Sequence, residues 1–444
     1  MNDKPGTLDP AYGQNGIATP PADPPAPDVH SLQVTALCAD ADGSLVYYGL
    51  NPGEDLPYRF ARLDPDGHYP SDGGHVIVQP DEHYPDGSQH CPALFRTTLA
   101  ERTVYLAAGQ PAYFEESTDR VLNYISIARF DEQFQLVPSF GEHGMALPDP
   151  GEPWIPIPSG EQSKRRSAHP GITRSPRPIQ SHVIGVSDGV IRVIFPQTTE
   201  DAFGDPVITA RILLLDADSG EQVAGLGEHG EQSALDLTDE DGNPLNVYLA
   251  HFLPEGGFIV LAERVDGRMV LKRYEVNGLV RRSFAGGAVE LDLFSYTIGL
   301  RPGLAVDDSR IVITRAISSK ALEPTTVFCF DLEGERDSEF NDGQPLTLRP
   351  ADGGLVLNRV GIDTHARIVL AGDHLTRQQG MLCVARLERS GALDKGFADG
   401  GYFEMGSDLI SAGGLFLDPD AIRVASQFPT FQGAFLDRAI KLLA

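Results

Sequence analysis

The stretch LCVARLERSGALDKGFADGGYFEM, Leu382 to Met405, decides how the rest of the chain is read. It holds an apolar run, a corner at Ser390-Gly391, a second corner at Phe397-Ala398-Asp399-Gly400, and another apolar run. Short β-branched runs bounded by Gly and Asp read as strands, and the corners read as turns. The phrase returns along the whole chain. It stands as GTLDPAYGQNG at Gly6 to Gly16, PSFGEHGMAL at Pro138 to Leu147, and as RSFAGG and SEFNDG further on. The aromatic slot is filled by Tyr12, Pro70, Phe140, Leu226, Phe284, Phe340 and Phe397, at intervals of 58, 70, 86, 58, 56 and 57 residues. The basic period is near 57 and the two long intervals are insertions.

Two more strand-like runs precede each phrase, for example RIVLAG and VARLERSG, or FIVLAE and LKRYEVNG. Four short strands at a period of about 40 to 60 residues are the signature of a propeller blade. The two ends of the chain are complementary. Thr7 to Thr19 carry only the end of a unit, while Gly413 to Gln427 and Gly433 to Ala444 match its first three strands and stop where the phrase should follow. An open solenoid has no need of complementary ends, so the expectation is a ring. The predicted fold is all-β: one domain over residues 1–444, a seven-bladed β-propeller of four-stranded antiparallel blades. One blade is closed by the N- and C-terminal segments, with residues 1–20 supplying its last strand.

The recurring G-x-LD-x-x-F-G-x-x-G phrase, clearest at Gly6 to Gly16 and Gly391 to Gly401, resembles the bacterial delta-60 repeat family. The resemblance covers nearly the whole chain and implies a β-propeller. The motif carries no catalytic residue, and the family implies no shared activity. Pro70 and Leu226 depart from the pattern in single copies.

Charge narrows the partners. Lys and Arg number 35 against 63 Asp and Glu, a formal charge of -28, which repels phosphate backbones and anionic head groups. Neither nucleic acid nor a membrane is expected as a partner. No apolar run of signal-peptide or membrane-spanning length is seen, so the chain reads as a soluble monomer, cytoplasmic or exported without a classical signal peptide. Cys38, Cys91, Cys329 and Cys383 form no CxxC pair, and Cys329 and Cys383 lie in apolar strand patterns as buried free thiols.

No motif demands a cofactor, and none is expected. The glycines of the phrase lack the helix that a dinucleotide loop needs, so they are turn chemistry. Asp40 to Gly43, Asp216 to Gly220 and Asp239 to Gly242 look like calcium loops but lack the EF-hand spacing and suit hairpin corners better. His68, His75, His83 and His90 crowd beside Cys91, at spacings of 7, 8 and 7 that match no compact zinc motif. His143 and His229 share one position in two GEHG turns, a mark of repeat descent. No G-x-S-x-G elbow or Cys-His signature is present.

Topology therefore places function better than motifs do. In a four-stranded meander the first-to-second and third-to-fourth turns share one face, and the second-to-third loops and interblade connections share the other. The second face receives the insertions: Asn51 to Pro57, Gln110 to Leu122, Gln197 to Pro206, Arg315 to Thr325, Asp373 to Gly380, Gln427 to Gln432 and the largest, Pro148 to Pro178. Loops on a rigid scaffold carry binding residues. Within 148–178, Trp154 sits in a proline-stiffened Trp-Ile-Pro-Ile segment, near Lys164, Arg165, Arg166, Arg174 and Arg177. An aromatic anchor beside local positive charge suits an acidic protein or a glycan, so Trp154, Lys164, Arg165, Arg166 and Arg174 are the predicted ligand-binding residues. The expected function is a non-enzymatic binding scaffold for a protein or glycan. The alternative is a hydrolase or lyase at the mouth of the central channel.

Overall fold

The computed structural model describes residues 4–18, 33–50, 58–69, 75–78, 90–110, 112–115, 120–123, 125–148, 182–200, 206–294, 300–317, 323–350, 352–376, 379–406, 411–430 and 433–444. The chain folds as a seven-bladed β-propeller of four-stranded antiparallel sheets. It packs as two compact units, residues 1–77 with 297–444, and residues 78–296.

The first strand, β1 (Ile17–Ala18), belongs to the last blade. Blade 1 is β2 (Gln33–Ala39), β3 (Leu45–Leu50), β4 (Tyr58–Leu63) and β5 (His75–Val78). Blade 2 is β6 (His90–Leu99) and β7 (Arg102–Gln110), then a side hairpin of β8 (Ala112–Glu115) and β9 (Arg120–Asn123), then β10 (Ser126–Phe130) and β11 (Met145–Ala146). Blade 3 is β12 (Val183–Ser187), β13 (Val190–Glu200), β14 (Pro206–Asp216) and β15 (Ala234–Leu237). Blade 4 is β16 (Asn246–Phe252), β17 (Phe258–Glu263), β18 (Arg268–Tyr274) and β19 (Val289–Phe294). Blade 5 is β20 (Leu300–Val306), β21 (Arg310–Ile317), β22 (Thr325–Asp331) and β23 (Leu346–Leu348). Blade 6 is β24 (Gly354–Ile362), β25 (Ile368–Leu375), β26 (Gly380–Leu387) and β27 (Tyr402–Gly406). Blade 7 is β28 (Ser411–Leu417), β29 (Ala421–Thr430), β30 (Gly433–Leu443) and β1. Among the described residues, helical structure is confined to two 3-10 turns, Ala285–Gly287 and Asn341–Gly343.

The split blade closes as the complementary ends require. Ile17 pairs with Ile440 and Ala18 with Ala439, the Gly6 amide donates to the Leu443 carbonyl at 2.7 Å, and the Asp9 amide donates to that of Lys441 at 2.9 Å. Lys441 Nζ also meets Asp9 Oδ2 at 2.9 Å. The uninterrupted blade 6 has the same bonds, with Asp394 N on the Arg386 carbonyl at 3.0 Å and a buried Arg386–Asp394 ion pair at 2.7 Å. The break in the chain thus falls inside a hairpin that the other blades make continuously.

The repeated phrase is the joint between blades. The backbone N–H just after the aromatic slot donates to the carbonyl just before the hairpin glycine of the next blade. The pairs are Gly13 to Asp66 at 2.6 Å, Gly141 to Ser219 at 2.6 Å, Gly227 to Asn277 at 2.9 Å, Asn341 to Ser390 at 2.9 Å and Ala398 to Pro5 at 2.7 Å. The slot side chain lies on that glycine. A Cβ on Gly391 would come within 3.0 Å of Phe340, one on Gly67 within 3.0 Å of Tyr12, and one on Gly278 within 3.2 Å of Leu226. The six described slot residues are all buried. Glycine is therefore required at the hairpin, both for its positive φ and for the ring that covers it. Pro70 lies outside the described residues.

Candidate functional site

Two faces of the blades carry different kinds of residue. The turn face is occupied by structure. Beside the joints, Arg129 Nη1 donates to the Ala217 carbonyl at 2.7 Å, and the Arg310 guanidinium donates to the carbonyls of Ala366 and Arg389, in each case reaching the following blade. The aspartates that resemble calcium loops are committed to their own turns. Asp216 Oδ1 accepts the amides of Asp218 and Ser219 on this face, and in the connection from β15 to β16, on the other face, Asp239 Oδ1 accepts those of Asp241 and Asn243. Burial alone would raise the Asp239 carboxyl, but the Asn243 and Asp241 bonds and the nearby Arg264 hold it below its usual range. These bonds leave the carboxylates little capacity for an ion.

The other face, formed by the second-to-third hairpins and the interblade connections and called the hairpin face below, carries the variation. Three of the insertions expected to be irregular carry regular strand pairing instead. The β13–β14 ladder runs on to Glu200 opposite Pro206, and the β29–β30 ladder to Thr430 opposite Gly433. Gln110 to Leu122 builds the β8–β9 hairpin. Each is a lengthening of the second-to-third hairpin, which costs no new core because the ladder satisfies its own backbone. Near their entry on this face the first strands β2, β6, β16 and β28 each carry a bulge, and β24 carries one at its middle. A bulge re-aims the side chains around it.

In the unit of residues 78–296, blade 4 presents a linked polar group on this face. Asn246 Nδ2 and the Tyr248 hydroxyl donate to Glu263 Oε2 at 3.1 and 3.3 Å, Tyr248 being the bulged residue. Beside it, Lys272 Nζ reaches Glu240 Oε2 at 2.7 Å, and Arg264 lies 3.3 Å from Glu240 and 3.5 Å from Glu290. Lys272 is fully buried, at a position that the other blades fill with Ala61, Ala128, Leu213, Phe328, Ala385 and Ile440. The lysine bond is the leading reason why the Glu240 carboxyl sits below its usual range. Burial lowers the His251 imidazole, also on β16, which favours its neutral form.

In the unit of residues 1–77 and 297–444, the matching polar group lies on blade 6. His374 stands between Glu404 Oε1 and the Asp352 carbonyl, at 2.7 Å from each. Burial raises the Cys383 thiol, with Glu404 and Asp373 adding to the effect, and Tyr402 is pushed up to about 12 by burial. Arg359 Nε donates to the Ala412 carbonyl of blade 7 at 3.2 Å. Cys38, Cys329 and Cys383 are buried and form no disulfide.

The sequence-predicted residues Trp154, Lys164, Arg165, Arg166 and Arg174 lie outside the described residues, as does His83. Of the four crowded histidines His68 alone has a described side chain, 3.7 Å from Asp64 in its own turn. Among the described residues no three His, Cys, Asp or Glu side chains gather as a metal-binding group. No helix among them is long and apolar enough to cross a membrane. Sequence reading missed the Lys272 and His374 groups. Lys272 was visible as a charge in an apolar register of the repeat; His374 left no signal.

No family model matches the sequence, and no curated protein matches it. Solved propellers are similar in fold. A polysaccharide lyase is matched over 100% of this chain and 98% of its own at 9% identity, with a TM-score of 0.47. An α-L-arabinofuranosidase from Fusarium graminearum is matched over 96% of both chains at 11% identity, with a TM-score of 0.43. The β-propeller domain of the Trilobed protease from Pyrococcus furiosus, described as having an open velcro topology, is matched over 93% of this chain and 94% of its own at 8% identity, with a TM-score of 0.41. Likeness at this level concerns the fold and says nothing of activity.

Proposed function

We propose that this protein is a binding scaffold that recognises a protein or glycan through its hairpin face, with Trp154, Lys164, Arg165, Arg166 and Arg174 of the 148–178 segment contributing. The observation that carries the reading is the division of labour between the faces. Turn-face residues are spent on interblade joints, arginine clamps and aspartate turns, and they recur from blade to blade. Hairpin-face elements differ from blade to blade in length, bulge and polar content, which is the pattern of recognition loops on a constant frame.

The test replaces residues 150–176 with a short Gly-Ser linker and compares the variant with the whole protein on a glycan array and in capture from lysate. The reading expects an unchanged melting temperature and loss of the captured ligand. Capture with unchanged affinity would remove the 148–178 residues from the site and leave the β13–β14, β8–β9 and β29–β30 hairpins as the surface to mutate next. Turnover of a captured glycan by the whole protein would overturn the non-enzymatic reading.

A further inference from the structure

His374 closes the end of β25 on the hairpin face, and it is 3% exposed. Its Nε2 is 2.7 Å from the Asp352 carbonyl oxygen, and its Nδ1 is 2.7 Å from Glu404 Oε1. A carbonyl oxygen only accepts, so Nε2 carries a hydrogen. The second contact needs a hydrogen as well, on Nδ1 or on the carboxyl, because two lone pairs at that distance repel. A neutral imidazole and an ionised carboxylate own one hydrogen between them; this geometry holds two. We propose that His374, Glu404 and the Asp352 carbonyl form a proton-loaded clamp, which fastens the connection entering blade 6 to the hairpin face and loosens it when the shared proton leaves.

The surroundings suit the clamp. Asp352 precedes β24, His374 ends β25 and Glu404 lies on β27, so one imidazole ties the entry of the blade to its outermost strand. Among the described residues the titratable groups facing it are few. On β26 the Cys383 thiol is raised by burial, and on β27 Tyr402 is pushed up to about 12, so neither exchanges protons near neutrality. On β25 Asp373 contributes to the rise at Cys383, and the Asp352 carboxylate lies 3.9 Å from Nε2. On blade 5, Glu323 is turned to Arg315 at 4.0 Å, while its carbonyl accepts the Leu355 amide at 3.0 Å. That amide reports whether the entry of β24 is closed.

Because both contacts are made only while the shared proton is held, the corner is firmest where that proton is present and loosens as rising pH removes it. Glu404→Gln separates proton loading from packing. Its carboxamide N–H donates to Nδ1 while Nε2–H still donates to Asp352, and a neutral ring then satisfies both contacts. Hydrogen exchange on the full-length protein, expressed as protection over the intrinsic rate, reads the result. Protection of the Leu355 amide should fall about tenfold between about pH 6 and pH 9 in the wild type and stay level in Glu404→Gln. Side-chain ¹H–¹⁵N spectra of the wild type should show hydrogens on both His374 nitrogens, or a single hydrogen with a protonated Glu404, at the lower pH. Flat protection in the wild type, an equal fall in the variant, or a bare Nδ1 facing an ionised Glu404 would each overturn the clamp.

Discussion

Substituting Gly391 by alanine tests whether the repeated phrase is an interblade joint or merely a turn. Gly391 has φ +86°, and a Cβ there would stand 3.0 Å from Phe340 Cε2 and 3.3 Å from Cδ2 and Cζ. Gly400, in the same phrase, has φ +66° and nothing within 4 Å of its Cβ position. Both alanines carry the left-handed backbone cost of about 1 kcal/mol. Only the first also overpacks a buried ring, which adds about 1–3 kcal/mol because Phe340 is held on all sides and cannot yield freely. Gly391→Ala should thus cost about 2–4 kcal/mol and Gly400→Ala about 1 kcal/mol. Urea unfolding followed by circular dichroism gives the difference directly. Phe340→Leu supplies the partner change, since Leu226 already occupies the slot over Gly278. The double variant should lose less than the two single losses added together. Equal losses at Gly391 and Gly400, or strict additivity with Phe340→Leu, would refute the joint.

Three further outcomes follow from the packing. Tyr12→Phe should raise stability by about 1 kcal/mol, since the buried Tyr12 hydroxyl has no hydrogen-bond partner among the described residues and Phe140, Phe284, Phe340 and Phe397 fill the same slot without one; a lower melting temperature would count against it. Deleting residues 1–20 should lower the melting temperature by several degrees or produce aggregates on size exclusion, because β30 loses its outer partner; an unchanged melt with monomeric elution would deny the split blade its role. Glu240→Ala should cost about 3 kcal/mol by stranding the buried Lys272 ammonium, whereas Lys272→Met should be near neutral because Glu240 is half exposed; denaturant midpoints in the reverse order would show that the ion pair does not govern the site.

The fold was legible because each blade repeats its errors and its rules together. A single F-G-x-x-G is weak turn chemistry, but seven slots at one period, with one unit divided between the two ends, admit few architectures. What the sequence could not display is where the phrase points. The Phe397 phrase is bound to Pro5 and Gly6, and the Phe340 phrase to Ser390 and Gly391, so each copy is completed by residues of the next copy, not by its own neighbours. The candidate site was less legible for the same reason. Repetition marks what every blade needs, and recognition depends on what single blades add. The β13–β14 and β29–β30 extensions read as irregular because Pro196, Pro206 and Pro429 look like strand breakers, yet each stands on an extended ladder.

The placing of charge follows the same rule. The excess of acidic residues reads from composition as one repulsive field. In the structure Asp9, Asp64, Asp131, Asp216, Asp239, Asp331, Asp363 and Asp394 each accept backbone amides within their own corners. Aspartate was placed there by turn geometry, eight times over, and the net charge rose as a consequence. The charges that distinguish one blade from another are then those that break the repeat. Lys272 in an apolar register and His374 between two oxygens, both on the hairpin face, are such departures in the structure, and the basic run from Lys164 to Arg166 is one in the sequence of an acidic chain.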